Sequence, residues 1–536
     1  MGGISILGMA GLICKVVGVL YKIPLANLIG AEGIGIYQQV FPTYNLMLTV
    51  SSAGIPVAIS RMVAFHLARG RAKNTLAILR VSLAVLAALG AVSMLLMLAL
   101  SGQLARATST PESRLGFVFI APSLLLVCVL SAYRGYMQGH RMMWPTAISQ
   151  LIEQVGKVGL ALPLAYSFMQ RGGFALGAAG ALLGTSLAEA AALLYMIINA
   201  QFVKPGMIRA AALDQTPPDS FLRIARELVF SAVPITIGAS IMPLAGAVDS
   251  FMLVRLMKAY LPEMQALSRY GIYSGLVIAL INVPTALAMA LSSNLVPSIS
   301  SKRASGDWEG IRRDSAAGLK LAVVIGLPCS VGMSLLAEPI MFLLFSGGQY
   351  TLQELRMGAQ LLSISALTIV VFTLVQASSG ILQGLYKQRI PMYTLMLGVS
   401  LNIVIEYIMV SRPNINIFGA PVSSLTCYLL SAGLNIAYVR KYAGMALDVR
   451  ELLLRPAAAT LIMALPVWAL ARILGERLQS SWVLSGFVIV LAVLIFIAAA
   501  FATGALSPLT CPENTGKEPE CTKLQLLPWG PAPKTS

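Results

Sequence analysis

Two lysines in the first apolar segment are the residues best placed to do chemistry. Residues 4–29 form a run long enough to cross a bilayer, and this run contains Lys15 and Lys22. A charge at membrane depth costs roughly 2.5–3.5 kcal/mol on insertion scales, so it indicates a function or a buried partner. Their spacing of about two helical turns places both ammonium groups on one face, about 10 Å apart. We expect this face to line a polar cavity; the alternative for Lys22 is snorkelling to the headgroups.

A third lysine in the first half of the chain strengthens this expectation. Lys157 follows Glu153 at the i,i+4 spacing of a favourable intrahelical pair. With Lys15 and Lys22 it would form a cationic pocket, which suits a phosphate or diphosphate. Glu189 is surrounded by small residues, and we predict that Glu153 and Glu189 are cavity acids with a role in coupling. A self-satisfied structural pair of Glu153 and Lys157 is the alternative.

The second half of the chain concentrates acids instead. Asp249 and Glu406 lie in apolar segments, and Asn402 precedes Glu406 by one helical turn. Carboxylate and amide oxygens, joined by a hydroxyl such as that of Thr426, form a ligand set for a hard cation. We expect a coupling ion there, sodium or a proton, unless these side chains only tie helices together. Arg255, near the outer end of its segment, is predicted either to join the cationic cavity or to snorkel.

The composition indicates a polytopic membrane protein and excludes several other classes. The 536 residues are 57% hydrophobic and 11% charged, against about 25% charged in soluble domains. His66 and His140 are the only histidines, and the six cysteines have no metal-site or disulfide spacing. Zinc chemistry and Ser-His-Asp catalysis are therefore not expected, and we predict no cofactor.

These functional residues must be positioned by membrane helices joined by short loops. Lysine and arginine concentrate in alternate loops, which places both termini in the cytoplasm. The net charge of +17 is thus mainly topological and predicts no nucleic-acid partner. The start of the chain lacks the pattern of a cleavable signal peptide. We predict fourteen helices, at about 4–29, 38–64, 79–103, 116–138, 146–169, 174–201, 229–257, 270–299, 317–345, 358–383, 391–411, 416–439, 456–474 and 482–503.

A weak internal repeat predicts how these helices are grouped. GYMQG at 135–139 matches GILQG at 380–384, in helices that run in the same direction. The fold class is therefore an all-α membrane protein with two six-helix lobes, related by a pseudo-twofold axis along the membrane normal. The predicted divisions are an N-terminal lobe, a cytoplasmic linker, a C-terminal lobe, two further helices and a disordered cytoplasmic tail, at 1–202, 203–228, 229–440, 441–505 and 506–536.

Three segments resemble a known family of exporters. They are YKIPLANLIGAEGIGIYQ at 21–38, AGIPVAISRMV at 53–63 and RGYMQGHRMMWPTAISQLIEQVGKVG at 134–159. They are similar to the stage V sporulation protein B and polysaccharide-export branch of the multidrug/oligosaccharidyl-lipid/polysaccharide exporter superfamily, near the MurJ-type lipid II flippases. This resemblance implies two lobes around a V-shaped cavity and export of undecaprenyl-diphosphate-linked sugars.

The resemblance also implies roles for particular residues. Basic residues occur in the first helix of MurJ-type proteins, and Lys15 lies at one such position. Relatives with a sodium site use an Asp, then an Asn and an acid four residues apart, then a carbonyl and a hydroxyl. The matching positions in this chain are Asp249, Asn402, Glu406, Val422 and Thr426.

We therefore expect a flippase rather than an enzyme, acting on a lipid-linked cell-wall precursor in the bacterial cytoplasmic membrane. Lipid II-like peptidoglycan precursors and polysaccharide units both fit, and contact with the cell-wall synthesis machinery and a role in sporulation are expected from the resemblance. Three alternatives remain at this stage: a cation-coupled multidrug exporter of the same fold, an integral-membrane glycosyltransferase or polymerase, and a structural scaffold for division or sporulation.

Overall fold

The protein is all-α throughout the part of the chain that the structure describes, as the sequence predicts. The structure is a computed structural model that describes residues 2–445, 450–475, 478 and 482–506. The predicted tail beyond residue 506 lies outside these ranges. The helices α1 to α16 are, in order, Gly2–Ser52, Ile55–Ala68, Ala72–Ala107, Arg114–Gly139, Trp144–Gly156, Leu162–Leu213, Phe221–Met257, Glu263–Tyr270, Ile278–Ala304, Trp308–Leu335, Ala337–Phe345, Leu352–Gly384, Arg389–Val410, Gly419–Ala443, Arg455–Leu474 and Trp482–Ala502.

Glycines divide two of these segments into separate membrane crossings. Twelve segments of the described chain are long and apolar enough to span a bilayer. Val17–Ala68 and Trp144–Val203 have 52 and 60 residues, which as straight helices would be about 80–90 Å long. They bend at Gly30 (φ 67°) and Gly173 (φ 71°), backbone angles that favour glycine. Dividing the two segments at these bends gives the fourteen predicted helices.

The two lobes touch closely at the end of the molecule that is predicted to face outward. The second half of α1 packs against a π-helical stretch, Gly271–Val277, that continues α8 into α9. A Cβ atom on Gly271 would collide with the carbonyl oxygen of Ala31, and one on Gly275 would collide with the side chain of Ile34. Glycine therefore permits a backbone approach here that no larger residue would allow.

Hydrogen bonds fasten the same end of the molecule. Gln38 Nε2 donates to the carbonyl oxygen of Ser274 over 2.7 Å, and the hydroxyl of Tyr270 donates to the carbonyl oxygen of Gln38 over 3.1 Å. Asn27 Nδ2 donates to the carbonyl oxygen of Leu344 over 2.8 Å. Each bond joins the N-terminal third of the chain to a residue more than 200 positions away. The lobes are thus closed against each other at this end.

The connection between the lobes is shorter than the sequence predicts. The predicted linker covers residues 203–228, but α6 continues to Leu213 and α7 begins at Phe221. Both helices therefore extend into the polar, proline-containing stretch that the sequence predicts as a linker. Alanine and leucine are strong helix formers, and the run IRAAAL at 208–213 extends α6 beyond the apolar segment.

Two aspartates hold this short connection against the start of α3. Asp214 accepts hydrogen bonds from the hydroxyl of Thr216, at 2.6 Å, and from the backbone N–H of Lys73, at 2.9 Å. These bonds stabilise the carboxylate and lower the pKa of Asp214 to about 2. Asp219 accepts a hydrogen bond from Asn74 Nδ2 at 2.7 Å. The loop between lobes is therefore fixed to the first lobe.

Candidate functional site

The central cavity lies between the two lobes and has a volume of about 600 Å³. Its first wall comes from the first half of α1 and from α5, and its second wall comes from α9. Polar atoms reach it from both lobes. The polar lining residues are Cys14, Tyr21, Lys22, Tyr37, Gln154, Lys157, Asn282 and Thr285.

The first half of α1 forms one wall of the cavity. Cys14, Gly18, Tyr21 and Lys22 fall within about two helical turns, and all residues from 18 to 23 contribute to the lining. Lys22 is half-buried, and among the described residues no ion-pair or hydrogen-bond partner is found for its ammonium group. The lysine that faces the cavity without a partner is thus Lys22. The side chain of Lys15, which the sequence analysis favours over Lys22, lies outside the described part of the structure.

Lys157 faces the same cavity but belongs to a network of three charges. Its ammonium group lies 3.0 Å from Glu153 Oε1, as the i,i+4 spacing predicts. Glu153 Oε2 lies 3.3 Å from Arg134 Nη2, and Arg134 Nε donates to Ser149 Oγ over 2.9 Å. The side chains of the three charged residues are between 13% and 17% exposed. Two cations therefore share one carboxylate at the wall of the cavity.

Arg134 is a functional candidate that the sequence analysis missed. It lies in the quoted motif RGYMQG and near the end of α4, where an arginine is readily explained as facing the headgroups. The repeat contained a signal that could have identified it. The residue before GYMQG is Arg134, whereas the residue before GILQG is Ser379, so a charge is present in one lobe alone.

Glu189 occupies a separate, more deeply buried position. It is 3% exposed, and Tyr44 donates its hydroxyl to Glu189 Oε1 over 3.0 Å. The other oxygen, Oε2, is buried and has no hydrogen-bond partner in the described structure. The structure therefore separates the two predicted cavity acids, since Glu153 is paired with two cations and Glu189 with a tyrosine.

Arg255 does not join the cationic cavity. Its side chain is exposed, and it lies two residues before the end of α7 at Met257. It is absent from the cavity lining formed by the described residues. The structure therefore does not bring Arg255 to the described lining of this cavity. A long side chain near a helix end can reach the headgroup region, which is the snorkelling alternative.

The predicted acidic residues of the second lobe meet between α7 and α13. Asn402 Nδ2 donates to Glu406 Oε2 over 3.2 Å, and Asp249 on α7 lies near Glu406 on α13. Asn402 and Glu406 are 7% and 2% exposed. Oδ1 of Asp249 and Oδ1 of Asn402 are both buried without a hydrogen-bond partner in the described residues. Such unsatisfied oxygens are costly, and a bound cation would satisfy them.

The remaining two residues of the predicted cation site lie on α14, which packs against α13. The Thr426 hydroxyl donates to the carbonyl oxygen of Val422 over 3.0 Å. This bond uses the hydroxyl proton and leaves oxygen lone pairs on both groups. The donor set of Asp249, Asn402, Glu406, Val422 and Thr426 consists of oxygens alone, which fits a hard cation such as sodium.

Comparison with known proteins places this architecture in a family. The family model "Polysaccharide biosynthesis protein" matches residues 1–302, more than half of the chain, and the MatE model matches residues 234–408. The chain belongs to the polysaccharide biosynthesis protein family. The resemblance to the exporter superfamily is thereby confirmed.

Individual relatives agree with this assignment. The chain is 26% identical to stage V sporulation protein B of Bacillus subtilis, over 84% of this chain and 85% of that protein. It is 23% identical to the lipid II flippase MurJ of the same organism, over 83% and 84% of the two chains. A solved structure of lipid II flippase MurJ in an inward closed conformation superposes with a TM-score of 0.68 at 12% identity, over 93% of this chain and 98% of that one.

The family fixes the function at a coarse level. Its members here are flippases and exporters, so this chain is a multi-pass membrane transporter and not an enzyme. At family level it is a flippase or exporter of lipid-linked precursors. The glycosyltransferase and scaffold alternatives are therefore set aside.

Proposed function

We propose that this protein flips an undecaprenyl-diphosphate-linked sugar unit, such as a lipid II-like peptidoglycan precursor, across the bacterial cytoplasmic membrane by alternating access. The observation that carries the proposal is the ammonium group of Lys22, which has no partner among the described residues and faces a 600 Å³ cavity beside Lys157. A half-buried cation without a partner is costly at membrane depth, so its presence favours an anionic ligand. Similarity to the lipid II flippase MurJ supports the choice of ligand class.

The cavity would bind the headgroup while the lipid tail stays in the bilayer. Lys22, Lys157 and Lys15 would bind the diphosphate, since ammonium groups form charge-assisted hydrogen bonds with phosphate oxygens. Polar residues such as Asn282 and Thr285 would contact the sugar from the second lobe. The closed contacts near Gln38 and Ser274 would then have to open so that the headgroup is released on the outer face.

A coupling cation would act in the second lobe. Sodium, or alternatively a proton, would be held by the carboxylates of Asp249 and Glu406, and the match to the MatE family is consistent with ion coupling. Binding of one such cation would offset one of the two adjacent carboxylate charges and alter how α7 and α13 pack. Both termini would lie in the cytoplasm, where the predicted inner loops carry most lysines and arginines.

A multidrug exporter is the competing function, and the MatE match at residues 234–408 favours it. Such a protein would take cationic, aromatic drugs. Among the described residues, the charges that line the cavity are those of Lys22 and Lys157, and they would repel a cationic drug. The charge of the cavity therefore favours the lipid-linked diphosphate.

A flipping assay with Lys22→Gln tests the proposal. The purified protein would be placed in liposomes with fluorescent lipid II, with and without sodium, and the fraction of lipid reaching the outer leaflet would be measured. One lost charge-assisted hydrogen bond is worth about 1.5–3 kcal/mol, so we expect flipping to fall about tenfold or more. Lys387→Gln is the matched control, because Lys387 is exposed and does not line the cavity.

Two results would contradict the proposal. Equal rates for Lys22→Gln and Lys387→Gln would show that the cavity lysine has no part in transport. Resistance to cationic drugs on overexpression, without any movement of lipid II in liposomes, would favour the multidrug exporter instead.

A further inference from the structure

Behind the cavity, the carboxylate of Glu153 is paired with two cations, Lys157 and Arg134. Lys157 lines the cavity, whereas Glu153 and Arg134 are not among the described residues that line it. One oxygen of Glu153 bonds Lys157 and the other bonds Arg134, at 3.0 and 3.3 Å. The carboxylate is therefore bound on both sides, by one cation that a ligand can reach and by one that it cannot.

This arrangement matters when an anion enters the cavity. A lysine that is already paired with a carboxylate is partly neutralised and attracts a diphosphate weakly. Releasing it would ordinarily leave a buried carboxylate without a partner, which is strongly unfavourable. With Arg134 in place, Glu153 keeps one cationic partner after Lys157 has turned to the ligand.

We infer that Arg134 is a positioning residue that retains Glu153, so that Lys157 can exchange its carboxylate partner for the substrate diphosphate. The inference rests on the proposed function, and it concerns how the affinity of the same cavity for the diphosphate rises and falls during transport. When the diphosphate leaves, Lys157 pairs with Glu153 again, and this ion pair favours release of the substrate. Arg134 itself is held in place by its bond to Ser149 Oγ, at 2.9 Å.

The affinity for the diphosphate should then change in opposite directions in two variants, Arg134→Gln and Glu153→Gln. In Arg134→Gln, Glu153 depends on Lys157 alone, and we expect affinity for undecaprenyl diphosphate to fall about tenfold. In Glu153→Gln, Lys157 is always free, and we expect tighter binding together with slower flipping. The double variant should bind as tightly as Glu153→Gln, because Lys157 again has no competing carboxylate.

The experiment measures binding of undecaprenyl diphosphate to the full-length protein in nanodiscs by thermophoresis. It also measures acylation of Lys157 by mass spectrometry, with the ligand at saturation. The ligand should protect Lys157 in the wild type but leave it reactive in Arg134→Gln, a difference that a general loss of charge would not produce. Arg141→Gln is the matched control, because Arg141 is exposed two residues beyond the end of the same helix.

The outcomes separate the inference from the proposed function. Wild-type affinity in Arg134→Gln, or protection of Lys157 by saturating ligand in that variant, would overturn the inference alone. Failure of the ligand to protect either Lys22 or Lys157 in the wild type would overturn the proposed function. Should Arg134→Gln fail to fold, Glu153→Gln tests the exchange by itself, and looser binding with faster flipping in that variant would refute it.

Discussion

Two buried oxygen atoms in the second lobe are available to bind a ligand. Asp249 and Asn402 each have a buried Oδ1 without a hydrogen-bond partner among the described residues, close to Glu406. Buried polar atoms are normally paired, and an unpaired one calls for an explanation. In the first lobe, by contrast, Glu153 is fully paired by two cations. This difference between the lobes agrees with the proposal of an anionic substrate at the first lobe and a coupling cation in the second.

Asp249→Asn should remove a sodium effect on stability. A ligand that binds the folded state alone stabilises it, by about 2.7 kcal/mol at a hundred times its Kd. We expect sodium, but not potassium, to raise the melting temperature of the wild type in detergent, and we expect Asp249→Asn to abolish that rise. Glu227→Gln, an exposed acid on the same helix, should keep it. A sodium effect that survives in Asp249→Asn would show that the cation binds elsewhere.

Close backbone packing is the main feature at the scale of helices. The π-helical stretch Gly271–Val277 lies against the second half of α1, and Gly271 and Gly275 leave room for Ala31 and Ile34. Small residues allow membrane helices to approach closely and so increase their packing. The stretch also shifts the face that α9 presents, because a π-turn alters the helical register. The closed outer end depends on this pair of elements.

Gly271→Ala should loosen that contact. The added methyl group would collide with the carbonyl oxygen of Ala31, and overpacking of this kind costs about 1–3 kcal/mol. We expect a lower melting temperature and faster maleimide labelling of a cysteine placed at Ser274. Gly433→Ala is the control, since a Cβ there has no atom within 4 Å. Equal labelling rates in the two variants would mean that this contact does not hold the outer end closed.

At the scale of the whole molecule, the lobes are joined in two ways. Hydrogen bonds of Gln38, Tyr270 and Asn27 close the outer end, and the connection between α6 and α7 is bound to the start of α3 by Asp214 and Asp219. Alternating access requires the first set to break while the cavity changes the side to which it opens. The second set lies outside the membrane segments and can persist throughout the cycle.

A disulfide across the outer end should stop transport reversibly. Gln38 and Ser274 lie in direct contact, with 2.9 Å between Nε2 and Oγ. In the variant with cysteine at both positions, we expect oxidation to reduce lipid II flipping to the background rate and reduction to restore it. Each single cysteine variant serves as a control and should be unaffected by the oxidant. Full flipping by the crosslinked protein would show that the outer end need not open there.

The sequence by itself determined the class, the helices and the two charge groups. Hydropathy and loop charge are local properties, so the fourteen segments followed from them, and Gly30 and Gly173 later accounted for the apparent count of twelve. The motif at 134–159 led to the family, and the i,i+4 spacing led to the pair of Glu153 and Lys157. Each of these inferences depends on residues that are close together in the sequence.

The tertiary structure alone decided which charges have partners. Arg134 reaches Glu153 across 19 positions, and Asp249 meets Glu406 across more than 150. Arg255 was expected in the cavity and is exposed instead, because the position of a side chain around its helix depends on which helices pack beside it. The sequence predicts the carboxylate partner of Lys157, but only the structure shows that Lys22 faces the cavity without a partner among the described residues. Pairing depends on distance in space, and helix packing sets that distance.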